Sequence, residues 1–93
     1  MTDGEMKLLD AGFGMAGGGM WIDPDTGFMI TAITTAQIVT ENKMVKKGFK
    51  SDYIGAKNGA PVVNMTRIQN GYKQYAYVTS DGKVNGGDVR GFY

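Results

Sequence analysis

Asn70-Gly71 sits between two segments of alternating character, Val62–Gln69 and Tyr72–Thr79. Both residues tolerate positive φ, so the dipeptide predicts a two-residue type I′ turn whose twist matches the flanking strands. The turn fixes a register: Gln69 opposes Tyr72, Arg67 opposes Gln74, Met65 opposes Ala76 and Val63 opposes Val78. Because side chains alternate across a strand, one face then carries Val63, Met65, Ala76 and Val78. The opposite face carries Asn64, Thr66, Ile68, Lys73, Tyr75 and Tyr77. A lone hairpin is marginal in water, so the rest of the chain must cover its apolar face.

Ninety-three residues leave room for one small core. With no Cys and no His, disulfides, thiolate chemistry, the usual zinc sites and His-based triads are excluded. No stretch is long and apolar enough for a membrane span, and the N-terminus lacks the basic-then-apolar order of a signal peptide. A chain working in a virion or a host cytoplasm is expected, and no membrane partner.

Met20–Asp23, then Pro24-Asp25-Thr26-Gly27, then Phe28–Ile30 reads as strand, turn, strand. Trp21, the largest apolar side chain, is expected in the core. The Asp23-x-Asp25-x-Gly27 spacing lacks the later ligands of a calcium loop, and the turn reading stands. Between Thr31 and Lys47 two signals compete. The β-branched run Ile30, Thr31, Ile33–Thr35 and Ile38–Thr40 favours a strand through Thr40. Thr34-x-x-Gln37 is a capping box, and Lys46, Lys47 and Gly48 suit a helix end, so a helix over about 36–47 is the alternative. Residues 50–61 read mostly as loop, Ser80–Lys83 as a turn before a short Val84 segment, and Asn85–Asp88 as another turn.

The expected fold is mainly β: a small antiparallel sheet, barrel-like or sandwich domain built around the 62–79 hairpin, with at most one short helix. Residues 1–19 are expected as a Gly-rich arm and 20–93 as the single β-rich domain. Ala11–Met20 holds five glycines among ten residues, interleaved with Phe13, Met15 and Met20. Ordering such a stretch costs much backbone entropy, so its apolar side chains must rest on something, with a neighbouring chain the expected source. Gly12-x-Gly14-x-x-Gly17 matches a dinucleotide fingerprint formally, but no buried strand precedes it and no helix signal follows. No cofactor is expected.

Charge is unevenly placed. Residues 1–41 carry six acids against Lys7 alone, whereas residues 42–93 carry nine bases against three acids. Such a split can bind an anionic partner or suit head-to-tail contact between copies, and internal compensation on a small surface is the first expectation. Lys43, Lys46, Lys47, Lys50 and Lys57 form a candidate basic patch. With Tyr72, Tyr75, Tyr77 and Phe49 as stacking groups, it offers a small nucleic-acid-binding module as one reading. Lys47-Gly48-Phe49 resembles the opening of the RNP1 motif of RNA-binding sheets, and Lys50 and Ser51 then depart from it.

Catalytic residue types are scarce. The leading expectation is a non-enzymatic structural or assembly protein: a small virion component of a tailed bacteriophage, either a capsid decoration or cement protein or a head-tail or tail accessory. Its partners would be other copies of itself or other proteins of the assembly, met through Phe13, Met15, Met20, Tyr75, Tyr77, Phe92 and Tyr93. A phage-encoded inhibitor of a host protein is the alternative in the same class.

Overall fold

A computed structural model describes residues 1–86. Two helices and seven strands follow in the order α1 (Asp3–Asp10), β1 (Gly14–Gly17), β2 (Met20–Ile22), β3 (Met29–Thr31), α2 (Thr35–Lys46), β4 (Lys50–Lys57), β5 (Ala60–Gln69), β6 (Tyr72–Val78) and β7 (Val84–Asn85). The strands form two open antiparallel sheets, β1-β2-β3 and β4-β5-β6-β7. The fold is therefore mainly β, as expected, although it contains a second helix. Among the described residues no helix is long and apolar enough to cross a membrane.

The central hairpin has the register that Asn70-Gly71 dictates, with Gln69 opposite Tyr72 and Val63 opposite Val78. Asn70 and Gly71 take φ of 52° and 81°. A second Asn-Gly turn does the same work one hairpin earlier: Asn58 and Gly59, at 52° and 77°, join β4 to β5. Residues 50–57, expected as loop, are thus a full strand, disguised by a register irregularity between Ser51 and Tyr53 and by the small residues Gly55 and Ala56. On β2, Trp21 is 2% exposed, and the Asp23 carboxylate accepts from the Asp25 N–H at 2.8 Å to build the turn before β3.

Between Thr35 and Lys46 the capping signals prevail over β propensity. Thr34 Oγ1 accepts from the Gln37 N–H at 3.1 Å, and Gln37 Oε1 accepts from the Thr34 N–H at 3.0 Å. The helix also buries Gln37, Glu41 and Met44 against the larger sheet and α1, contacts that a solvent-facing strand there would forgo. Thr34 and Thr40 hydroxyls donate to the carbonyls of Ser80 and Gly82 at 2.7 and 2.6 Å, tying the β6–β7 turn to the helix.

A second capping box, Thr2 with Glu5, starts α1. Gly4 lies so close beneath Ile33 that a Cβ there would stand 1.8 Å from the Ile33 carbonyl oxygen. Leu8 and Phe13 join Trp21, Ile30, Ile33, Met44, Phe49, Val63, Met65, Ala76 and Val78 in one core. Segment 1–19 is consequently built into the fold, and β1 pairs with β2. The contacts that order its apolar residue Phe13 come from this chain.

Candidate interaction surface

The four-stranded sheet has one covered face and one open face. Val63, Met65, Ala76 and Val78 point into the core beneath α2 and the smaller sheet. The register then assigns the open face. One cross-strand row runs Tyr53, Asn64, Tyr77 and Asn85 over all four strands. The next runs Lys50, Thr66 and Tyr75, and Ile68 opposes Lys73 beyond it. Lys57 and Val62 share this face by alternation.

Aromatic and basic groups are interleaved here. Tyr53, Tyr75 and Ile68 are 64%, 52% and 75% exposed, and Tyr77 is 36% exposed. Adjacent strands lie about 4.8 Å apart, so Tyr53 and Tyr77, separated by Asn64, stand roughly 10 Å apart. Lys73 Nζ sits 5.4 Å from the Tyr75 ring centroid. The regular positions of this face on β4, β5 and β6 carry Lys50, Lys57 and Lys73 and no carboxylate. At its end, Lys50, Lys73 and Arg67 line a pocket of about 330 Å³ with Thr66, Ile68 and Asp52.

Arg67 does structural work as well. It projects from the covered side, where its guanidinium donates to the Lys47 carbonyl at the end of α2 at 2.7 Å and stacks 4.6 Å from the Phe49 ring centroid. Its Nε also donates to Gln74 across the hairpin. This cation fastens the helix to the sheet.

Of the residues singled out from sequence, Tyr75 and Tyr77 come together on the open face, joined by Lys50 and Lys57. Lys43, Lys46 and Lys47 are exposed but belong to α2 and its C-terminus, in the layer behind the sheet, so the basic segment divides between two surfaces. Phe13 is a core residue rather than a contact residue, at 6% exposure. Met15 is exposed on β1 and Met20 half-buried on β2, both in the smaller sheet. Phe92 and Tyr93 lie outside the described residues. Sequence reasoning missed Tyr53 on this face, because β4 read as loop; its missed signal was the Asn58-Gly59 turn.

Among the described residues, no group of three or more His, Cys, Asp or Glu side chains is placed to hold a metal ion. The described ion pair joins Lys7 of α1 to Glu41 of α2. No family model, curated protein or solved structure matches this chain.

Proposed function

We propose that the chain is a non-enzymatic assembly protein that works by protein–protein contact through the open face of the β4–β7 sheet. The observation that carries this reading is the cluster of Tyr53, Tyr75, Tyr77 and Ile68 on one exposed face. Tyrosines supply large contact area with little rotamer entropy to lose, and they are enriched where proteins meet. Several large aromatic and aliphatic side chains left in water on one face mark a surface that something covers.

The setting proposed for this contact is a tailed-bacteriophage particle, as a capsid decoration or head-tail or tail accessory component. Support comes from the sequence: no Cys or His, abundant Gly and Met, and opposite net charge in the two halves. Small cores gain stability from surface shared with neighbours. The chain is expected to co-sediment with purified particles, and the Tyr75→Ser/Tyr77→Ser variant to remain free although folded. Wild-type chain that never associates with a particle refutes the setting.

A second reading, single-stranded nucleic acid on the same face, is favoured by the lysines interleaved with the tyrosines. Bases stack on aromatic rings while Lys50, Lys57 and Lys73 meet phosphates. Its signature is affinity for oligonucleotides that falls steeply with salt and disappears when Tyr75 and Tyr77 are replaced. No binding at low salt removes it.

A further inference from the structure

We infer that the free edge of β4 is a second docking site, one that takes an extended basic segment of a partner protein as an added strand. β4 is the outer strand of its sheet. Lys57 and Ala60 flank the two-residue Asn58-Gly59 turn and therefore form a hydrogen-bonded pair, as do Gly55–Val62 and Tyr53–Asn64 by alternation. Ile54 and Ala56 occupy the intervening positions, so their N–H and C=O groups point away from β5. Proline at 61, opposite Ala56, agrees with this phase, since that position needs no ladder N–H. Among the described residues no backbone partner meets Ile54 or Ala56 along that edge. They present the alternating donors and acceptors that strand addition uses.

The edge is bordered by a groove, not by open solvent. Two depressions, of about 400 and 260 Å³, meet at Ala11, Asp52, Tyr53 and Ile54. The first continues along Gly55 and Ala56 beneath the β2–β3 turn, where Phe28 offers an apolar wall at 62% exposure. From Asp52 to Ala56 the edge accommodates a strand of roughly 17 Å.

Charge chooses the occupant. Asp10, Asp25 and Asp52 bring exposed carboxylates to the two depressions, beside the turn-building Asp23 and the Lys7–Glu41 pair, whose charges cancel; among the described residues no other cation lines them. Two copies meeting edge to edge would bring two acidic walls together, which disfavours symmetric self-pairing. An incoming strand with Lys or Arg alternating with aliphatic residues satisfies the exposed backbone, the Phe28 wall and the carboxylates together. This site borders the tyrosine face, sharing Tyr53 and Asp52 with it, but the backbone groups that bind the added strand belong to Ile54 and Ala56 at the edge.

A fluorescent peptide alternating Lys and Val is the probe, with an alternating Glu/Val peptide as control. The Lys/Val peptide is expected to bind and to slow amide exchange at Ile54 and Ala56. Ala56→Pro removes an outward N–H without breaking the β4–β5 ladder and should abolish binding. Asp25→Asn with Asp52→Asn should weaken it roughly tenfold, through lost charge complementarity. Equal binding of the Glu/Val peptide, undiminished binding by folded Ala56→Pro, or protection mapping to β6 overturns the inference. So does concentration-dependent self-association that Ala56→Pro removes, which would make a second copy the occupant. Should Ala56→Pro fail to fold, the wild-type exchange map decides between the two.

Discussion

Gln37→Leu is expected to destabilise the protein by about 2–4 kcal/mol, more than any surface change. Gln37 is fully buried, and its side chain joins three elements. Nε2 donates to the Pro61 carbonyl at 2.9 Å and to the Val78 carbonyl at 3.0 Å, while Oε1 accepts from the Thr34 N–H. Each such bond contributes about 1 kcal/mol net, and a buried carbonyl left without a partner costs about 1–3 kcal/mol. Leucine recovers part of this by burying apolar surface, so the sum falls below the simple total. For a domain of this size the change corresponds to a Tm lower by roughly 10–30 °C. Urea titration followed by far-UV circular dichroism reads it directly. A Gln37→Leu midpoint within experimental error of wild type, at unchanged slope, refutes the idea that this amide clamps α2 to β5 and β6. Gln37→Glu sharpens the test: the shape is kept, but a carboxylate then faces two carbonyl oxygens, so the loss should grow as pH rises above the carboxylate range.

Gly4→Ala should cost about 1–3 kcal/mol, because its Cβ meets the Ile33 backbone and α1 must lift; unchanged denaturant stability would show that α1 is free to shift. Lys7→Met strands the buried Glu41 carboxylate and should cost about 1–3 kcal/mol, less than a fully buried pair because Lys7 is partly exposed. Adding Glu41→Gln should recover most of that loss, and a double variant no better than the single one contradicts the pairing argument. Stability should weaken in acid through Glu5 and Asp81. The Thr2 N–H, then its hydroxyl, hold Glu5 below its ordinary 4.5, and the Thr79 hydroxyl, then the Lys83 N–H, hold Asp81 below 3.8. Each folded value is depressed, so the stabilisation is complete above the ordinary value and is lost as pH falls through the lowered one. Glu5→Gln with Asp81→Asn should flatten the acid limb of a stability–pH curve.

How much was legible depended on whether local and tertiary signals agreed. The 62–79 hairpin could be read to the residue pair because turn chemistry and alternation pointed the same way. Trp21 and the Asp23–Gly27 turn were equally direct. In α2 they disagreed: Ile38, Val39 and Thr40 favour a strand, and the helix forms because Thr34 and Gln37 cap it, Met44 enters the core and Glu41 pairs with Lys7. The Thr2–Glu5 box of α1 is the same signal, in a segment whose following glycines argue against regular structure. β4 was hidden by its bulge near Ser51 and by Gly55, which break the alternation that would have revealed it. Of the candidate contact residues, Tyr75 and Tyr77 were found because the hairpin assigns their face. Tyr53 joins them only through the β4–β5 register, a long-range pairing that no local pattern encodes.

Residue-resolved tyrosine labelling, on the free chain and on the chain bound in the proposed assembly, tests most directly whether the open sheet face is the working surface. Tyr53, Tyr75 and Tyr77 should react when free and become protected in the assembly. Tyr72, 75% exposed beside the hairpin turn and on the opposite side of its strand, should react in both. Protection of Tyr72 with continued labelling of Tyr53, Tyr75 and Tyr77 would place the contact elsewhere and contradict the account.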